Sequence, residues 1–203
     1  MPKFVLDLGS GNSCRNDKRI VERMIREIAE FDTDLEVILK WQLFRDAPPN
    51  IPLDRECFKY AYDLAWKLGY PTTSSVFDLD SLRFLMGFDV PFVKIACRPE
   101  LYELARYSTK PVYISTSASR IEMPGQTVLA CVSKYPATLW DYELSFTDEE
   151  LKHVSDHTVG WELYHKHNPS IIEKHFVHER NPDNPDAGPF AVTPDQLAEV
   201  LGA

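Results

Sequence analysis

The segment SDHTVGWELYHKHNPSIIEKHF, residues 155–176 of the 203-residue chain, has the pattern of a strand, a short helix and a second strand. SDHT and SIIEKHF are strand-like, and GWELYHKHN between them predicts a short helix. Parallel neighbouring strands need a crossover of this kind, because a tight hairpin can join only antiparallel strands. The segment therefore predicts a β/α/β unit with His157 and His175 at matching places in its two strands.

The same alternation extends towards the N-terminus. Strands are predicted at KFVLDLG, LEVILKWQLF, TTSSVF, PFVKIA, PVYIST and TVLACVS. Helical runs follow the first four of these strands; Asp17 is the expected N-cap of the first helix, and Gly69 the expected end of the second. TDEELKHV is predicted as a further helix, whereas SASRIEMPGQ is too short for one. TPDQLAEVLG, capped by Thr193, is the predicted last helix.

Eight strands in series with helices between them predict parallel pairing. The simplest closure is an α/β fold of the (β/α)8 TIM barrel type, formed as a single domain over residues 1–203. A typical barrel has about 250 residues, so this one is expected to be compact, with shortened helices. An open doubly wound sheet is the competing fold, but no GxGxxG motif follows the first strand.

Composition excludes several classes of protein. The formal net charge of −9 argues against nucleic-acid binding, which needs basic patches. The apolar runs are much shorter than the roughly 20 residues that span a membrane. The cysteines form no CxxC motif and no secretory signal opens the chain, which predicts reduced thiols in a cytoplasmic protein. They are Cys14, Cys57, Cys97 and Cys131.

Two lysines stand inside apolar strands, Lys40 in VILKWQ and Lys94 in FVKIA. A buried ammonium group is costly unless it meets an anion, and neither lysine has an acid nearby in sequence. For a single lysine of this kind, an ammonium group that reaches the rim of the barrel is as good an interpretation as an anion site. Two of them favour an anion site, and Gln42 shares the strand face of Lys40. Serine hydroxyls at other strand ends would add donors to it: Ser75, Ser115 and Ser133.

His157 alone, or His175 alone, is best read as a structural histidine with a hydrogen bond. Together they stand on strands about 4.8 Å apart, where two neutral imidazoles can bind one divalent metal. Asp156 or Glu173 is the candidate to orient one of the rings. The remaining histidines are expected to face solvent: His153, His165, His167 and His178.

At these residues the chain resembles the sialic acid synthase family, which condenses phosphoenolpyruvate with an N-acylated amino sugar. The matching stretches are LKWQLF, YPTTSSVFDLDSLRFL, FVKIAC, VYISTS, LACVSKYP, SDHTVG and IIEKHF. They follow the family's order and cover most of the chain. SDHT followed by EKHF is the specific pair, and each other motif would be weak alone.

The resemblance implies a role for each matching residue. His157 and His175 correspond to the metal ligands, and the metal is typically manganese, with magnesium or cobalt as alternatives. The residues that correspond to the phosphoenolpyruvate site are Lys40, Gln42, Ser75, Lys94, Ser115 and Ser155, with Ser133 where an asparagine or similar residue is common. Asp186 corresponds to a loop acid that contacts the sugar, and Asp7 replaces a glutamate. Asp7, Glu173 and Asp186 are all candidates to move protons, and the sequence does not choose among them.

Three departures from the family are notable, and the last two concern the acceptor side. Cys97 stands where a phosphate-contacting serine is usual, within CRP in place of an SGE-like turn. The stretch from Arg45 to Glu56 is shorter than the family's sugar-contacting loop. The sequence ends at Ala203, so the C-terminal antifreeze-like domain is not expected. We expect a rebuilt acceptor site, and a homo-oligomer in which a neighbouring subunit covers the open mouth.

The predicted function is a metal-assisted aldol-type condensation of phosphoenolpyruvate with an aldose, which gives a 2-keto-3-deoxy sugar acid. One alternative is a related phosphoenolpyruvate-dependent synthase with a different aldehyde acceptor. The other is a degenerate barrel that binds a ligand or partner without turnover. Cys97 favours this last alternative, whereas retention of both histidines and both lysines argues against it.

Overall fold

The eight predicted strands form a closed parallel barrel in the computed structural model, which describes residues 1–31, 33–45, 48 and 50–202. Each strand pairs with the next, and β8 pairs with β1. The fold is therefore the predicted (β/α)8 barrel. The strands are β1 Lys3–Asp7, β2 Glu36–Leu43, β3 Thr72–Val76, β4 Val93–Ile95, β5 Val112–Thr116, β6 Thr127–Cys131, β7 His153–Asp156 and β8 Ile171–His175.

The helices are short, as expected for a compact barrel, and the longest has 13 residues. Where the chain is described, no helix is long and apolar enough to cross a bilayer. The α-helices are α1 Gly11–Cys14, α2 Lys18–Ala29, α3 Arg55–Lys67, α4 Leu79–Leu85, α5 Leu139–Ser145, α6 Glu162–His167 and α7 Pro194–Leu201. Three 3-10 helices span Pro99–Tyr107, Glu150–Lys152 and Pro185–Ala187.

Local capping explains several of these boundaries. The side chain of Asp17 accepts a hydrogen bond from the backbone of Arg19 at the start of α2. Gly69 follows α3 with a φ of 85°, a left-handed conformation that glycine adopts without a steric cost. At the start of α7, the backbone amide of Thr193 donates to the side chain of Gln196. These three predicted boundaries are confirmed.

The segment between β6 and β7, with the start of β7, differs from its prediction. TDEELKHV was expected to be a helix, but only the 3-10 turn Glu150–Lys152 forms there. The strand β7 then begins at His153 and ends at Asp156, instead of covering SDHT. The true helix of this segment is α5, which was not predicted; Thr138 caps it through a reciprocal bond with Asp141. The fourth predicted helix is present as the 3-10 helix Pro99–Tyr107.

The core is divided by the barrel wall. One apolar cluster packs the outer faces of the strands against the helices, with residues such as Phe4 and Leu39 completely buried. A second, smaller cluster fills the barrel interior; its members are Val5, Ile38, Phe92, Tyr113 and Leu129. Apolar residues therefore close the barrel interior, and the polar residues of the same strands lie beyond them, at the C-terminal ends.

The loop after β2 was expected to be short on the acceptor side of the barrel. Residues 46, 47 and 49 of this loop, Arg45 to Glu56, lie outside the described residues, so that expectation stays a prediction. Residue 203, the last of the chain, is also outside them.

Candidate functional site

The C-terminal ends of the strands surround a cavity of about 480 Å³. We call it the donor cavity, because phosphoenolpyruvate, the donor in the predicted condensation, is expected to bind there. Eleven of the twelve predicted site residues line it, and Ser133 is the exception. Ser133 is exposed at the rim, where its hydroxyl donates to the Sγ of Cys97 at 3.4 Å. The eleven are Asp7, Lys40, Gln42, Ser75, Lys94, Ser115, Ser155, His157, Glu173, His175 and Asp186.

Strand register brings these residues together from distant parts of the sequence. Asp7 on β1 stands opposite Lys40 on one side and His175 on the other. Ser155 stands opposite Glu173 across β7 and β8, and donates to it at 3.0 Å. Successive strand residues alternate between the interior and the helix layer, so matching register aims all of these side chains inward.

Lys40 has an acid partner that its local sequence does not show. Its Nζ lies 2.6 Å from Oδ2 of Asp7 and donates to Ser75 at 3.0 Å. Burial opposes the charge on Lys40, but the carboxylates of Asp7 and Glu173 outweigh it and raise the pKa of this lysine. No acid is near Lys40 in sequence, and its partner Asp7 comes from a strand 33 residues away.

Lys94 is held mainly by neutral groups. Its Nζ donates to the Ser115 hydroxyl at 2.7 Å and to the Ile95 carbonyl at 2.8 Å. The nearest carboxylate oxygen is Oε2 of Glu173, at 3.7 Å. That oxygen is buried and has no hydrogen-bond partner among the described residues. Burial lowers the pKa of Lys94, against the opposing effect of Glu173. An anion placed beside Lys94 would supply the close partner that this cation lacks.

The carboxylates of Asp7 and Asp186 have different environments. Asp7 accepts hydrogen bonds from Lys40, Gln42 and the backbone of Gly9. Burial works against its charge, but Lys40 and His175 prevail and lower the pKa of Asp7 to about 2. Burial raises the pKa of Asp186, an effect that His175 opposes and Asp7 reinforces.

The two predicted metal ligands lie side by side on the cavity wall, at the ends of the neighbouring strands β7 and β8, with ring centroids 5.9 Å apart. Nδ1 of His157 lies 2.6 Å from the Val132 carbonyl oxygen, a contact that places the proton on Nδ1 and leaves Nε2 free. Burial, reinforced by the charge of His175, lowers the pKa of His157 to about 3. Nδ1 of His175 is buried without a hydrogen-bond partner among the described residues.

Asp156 was a candidate to orient one of these rings, and that prediction is wrong. Its side chain points to the opposite face of β7, where it accepts from Thr158 and from Lys174 at 3.0 Å. Both charged side chains are fully buried outside the barrel interior. The backbone carbonyl of Val132 orients the ring of His157 instead. The sequence gives no signal for this contact, because every residue has a backbone carbonyl.

The other four histidines were expected to face solvent. His165 does so. His153 is half-buried at the start of β7, which corrects its assignment to a helix or loop. His167 is half-buried beside Glu143, with 3.4 Å between Nε2 and Oε1, and His178 is half-buried as well.

Sequence reasoning missed two aromatic residues at the mouth of the cavity. The ring of Tyr135 stacks on that of His157, with 4.0 Å between centroids, and meets Phe190 edge-on at 4.9 Å. Phe190 in turn packs edge-on against His175 at 5.1 Å. Tyr135 lies in the loop four residues after β6 ends, a position that predicts a residue at the mouth. Phe190 lies on a loop whose path the strand pattern does not predict.

Cys97 lies half-buried in the donor cavity, immediately after β4. A hydrogen bond from Cys131 lowers the pKa of Cys97 to about 5, with further contributions from Ser133 and the charge of Lys94, and despite an opposing effect of burial. Burial and the neighbouring Cys97 raise the pKa of Cys131. At neutral pH, Cys97 is therefore a thiolate among the groups that would hold an anion.

We predict that iodoacetamide modifies Cys97 first, because only a thiolate is a strong nucleophile. The rate of Cys97 modification should be nearly constant between about pH 6 and pH 8, since the thiolate is already formed. Mass spectrometry of peptides after timed quenching measures this, and Cys97→Ser is the control that should remove the fast phase. A rate that climbs about tenfold per pH unit, or first modification at Cys57, would contradict the prediction.

Comparison with known proteins identifies relatives of this chain. The sequence matches the NeuB family over residues 40–203. A protein of uncharacterized function from Methanocaldococcus jannaschii is 25% identical over an alignment 237 positions long, which covers 98% of this chain and 69% of that protein. Pseudaminic acid synthase from Helicobacter pylori is 28% identical over 174 residues, which cover 72% of this chain and 50% of the synthase.

A solved structure matches the fold. The N-acetylneuraminic acid (sialic acid) synthetase of Leptospira borgpetersenii, crystallised with citrate, superposes with a TM-score of 0.78 at 22% identity. The match covers 99% of this chain and 82% of that protein. At this identity the likeness shows the fold, a sialic-acid-synthase-like barrel, and no more. The sequence match over residues 40–203 shows more: the chain belongs to the NeuB family.

Proposed function

We propose that this protein condenses phosphoenolpyruvate with an aldose to give a 2-keto-3-deoxy sugar acid and phosphate. The observation that carries the proposal is the convergence of two buried lysines and two imidazoles on one cavity at the C-terminal end of a NeuB-family barrel. In this reaction C3 of phosphoenolpyruvate attacks the aldehyde carbon, water adds to C2, and phosphate leaves.

Lys40 and Lys94 are the proposed donor-binding cations. Both lysines approach Glu173 without a hydrogen bond to it, Lys94 at 3.7 Å and Lys40 at 3.9 Å. A carboxylate or phosphate between them would accept charge-assisted hydrogen bonds in a site with little water. The hydroxyls of Ser75 and Ser115 accept hydrogen bonds from these ammonium groups, so their own O–H groups are available to donate to the ligand.

The three acids are proposed to have different roles, because their hydrogen bonding differs. Asp7 is occupied by three donors, so it positions Lys40 and stays ionised. Glu173 keeps one oxygen without a partner among the residues that the structure describes, so it is the group that can take a proton from the water that adds to C2. Asp186, at the mouth with Ser13 donating to it at 3.1 Å, can supply a proton to the aldehyde oxygen.

The imidazoles fit a divalent metal that takes its other ligands from outside the chain. His157 has a free Nε2, and His175 has a buried nitrogen without a partner. The described residues contain no group of three or more His, Cys, Asp or Glu side chains that could hold a metal ion. His157 and His175 would hold the metal, which when bound would act as a Lewis acid on the aldehyde. Manganese prefers oxygen ligands, which substrate and water would provide, whereas cobalt accepts imidazole more readily.

The proposal is tested by following the consumption of phosphoenolpyruvate by the purified protein with manganese and a panel of aldoses. We expect a 2-keto acid product, detected by mass spectrometry, with at least one aldose. Consumption must depend on the aldose, because simple hydrolysis would also release phosphate. If phosphoenolpyruvate binds but no aldose is joined to it under any metal, the proposal is wrong.

That last outcome corresponds to the second candidate function, a barrel that binds an anionic ligand without turnover. The observation that favours it is Cys97, whose thiolate stands among the proposed donor-binding groups. A fixed negative charge there would oppose an anionic ligand. The variant Cys97→Ser removes this charge, and a gain of turnover in that variant would show that Cys97 alone had silenced the reaction.

We predict that Lys94→Met weakens phosphoenolpyruvate binding by about 1.5–3 kcal/mol, the usual value of a charge-assisted hydrogen bond. Methionine keeps most of the apolar stem of the side chain but removes the ammonium group. Calorimetric titration measures the change, with Lys67→Met, on the exposed end of α3, as the matched control. Equal affinities of Lys94→Met and the parent protein would exclude Lys94 from the donor site.

A further inference from the structure

A second cavity, of about 730 Å³, adjoins the donor cavity; we call it the outer cavity. Six residues line both cavities and form what we call their shared wall, so a ligand placed at this wall contacts both spaces. The residues of this wall are Gln42, Asn50, Phe77, Arg98, Pro185 and Asp186. Asp186, the proposed proton donor, is thus at the junction where an acceptor would present its aldehyde.

Arg98 is a cation on the shared wall. Its guanidinium carbon lies 5.8 Å from the ring centroid of Phe77, which lines both cavities. Arg83, on α4, lines the outer cavity from another side. Both side chains are exposed, and neither forms an ion pair with a carboxylate among the described residues. The aromatic face orients Arg98 and leaves its hydrogen-bond donors available.

Two of the three acids that line the outer cavity form ion pairs with other arginines, and the third is Asp186 on the shared wall. Asp78 pairs with Arg45, with 2.5 Å between Oδ2 and Nε, and also caps α4. Asp80 pairs with Arg55 at 2.5 Å. The charges of Arg83 and Arg98 therefore remain uncompensated by these acids, in a protein whose formal net charge is −9.

We propose that the outer cavity binds the anionic tail of the acceptor, an aldose that carries a phosphate or carboxylate group. The guanidinium group matches both anions, because its donors form a planar fork. The aldehyde end of the sugar lies at the shared wall near Asp186, and the anionic end reaches Arg98 and Arg83. This inference rests on the proposed condensation and specifies its substrate class.

Binding and turnover test it separately. Calorimetry with mannose 6-phosphate, glucuronate and mannose measures affinity for the two anions and the neutral sugar. Consumption of phosphoenolpyruvate with the same three sugars measures turnover. The variants are Arg98→Met and Arg83→Met, and Arg106→Met is the control, because Arg106 is exposed on the 3-10 helix after β4 and lines neither cavity.

The expected result is that an anionic sugar binds more tightly than mannose, and that Arg98→Met weakens this binding by about ten- to a hundredfold. Phosphoenolpyruvate affinity should stay within about twofold of the parent value. Tighter binding of mannose 6-phosphate than of glucuronate assigns a phosphate tail, and the reverse order assigns a carboxylate. A loss of phosphoenolpyruvate binding in Arg98→Met would overturn the inference, because Arg98 would then serve the donor.

Two further outcomes separate the inference from the proposed function. Equal turnover of mannose and mannose 6-phosphate would support the condensation and overturn the anionic acceptor. Arg98-dependent binding of an anionic sugar, with no condensation by the parent protein, would support the subsite and overturn the reaction.

Discussion

Replacing His157 or His175 with alanine is expected to remove most of the bound manganese and to abolish turnover. In the proposed site each imidazole is one of two nitrogen ligands among the described residues, so either variant would leave the metal with a single protein ligand. We expect metal affinity to fall by more than about a hundredfold. Loss of a group that only hydrogen-bonds to a metal ligand costs about ten- to a hundredfold, and loss of the ligand itself should cost more. Elemental analysis after gel filtration measures bound metal independently of activity.

The matched control is His165→Ala, because this histidine is exposed on α6 and outside the cavity. It should keep the metal content of the parent protein. If both His157→Ala and His175→Ala retain as much manganese as the parent, the two imidazoles do not form a metal site. Circular dichroism shows whether a variant has lost its metal because it has lost its fold.

Lys174→Met is expected to lower the free energy of unfolding by about 3–5 kcal/mol. Lys174 and Asp156 form a fully buried ion pair between β7 and β8, and Lys174 also donates to the Thr158 carbonyl at 2.6 Å. Removal of the lysine leaves the Asp156 carboxylate buried without its cation, which costs more than the lost contact itself. Urea denaturation at neutral pH measures the change.

Two further variants identify the cause. Lys166→Met, at an exposed position on α6, should change stability by less than about 0.5 kcal/mol. The double variant Lys174→Met with Asp156→Leu should recover much of the loss, since it removes the unpaired charge. A loss below about 1 kcal/mol in Lys174→Met would show that water or another group compensates Asp156.

This ion pair also bears on the site. Asp156 and Lys174 directly precede His157 and His175 in the sequence, and they stand opposite each other across β7 and β8. The pair therefore joins the two strands at the level from which the imidazoles project inward. SDHT and EKHF thus contribute two pairs of side chains. His157 and His175 point into the cavity, whereas Asp156 and Lys174 form a buried ion pair on the opposite face of the strands.

The sequence alone was sufficient to predict the barrel and most of the lining of its cavity. Apolar strands that alternate with helical runs have few compact solutions, and a closed parallel barrel is one that leaves no open edge. In such a barrel the C-terminal strand ends meet at one mouth. Residues at those ends, such as Lys40, Lys94 and Glu173, therefore had to converge whatever their distance in sequence. The family resemblance then identified the chemistry that these residues suggest.

The least regular units were the hardest to predict. TDEELKHV has helical composition, but β7 starts within it, at His153, because pairing with β8 outweighs local helix propensity. The helix α5 is short, and both Trp140 and Leu144 on it are exposed, so its sequence lacks the apolar period that marks the longer helices.

Tertiary structure alone decided which charges meet. Lys40 has its acid 33 residues away, Lys174 faces the helix layer although Glu173 and His175 beside it face the cavity, and Arg98 lies between two cavities. Electrostatic interactions depend on distance through space and on burial, and neither quantity is local in sequence. Periodicity predicts which face of a strand a residue occupies. Only the packed barrel determines which group stands opposite it, and therefore which residues hold a charge and which remain free to bind a ligand.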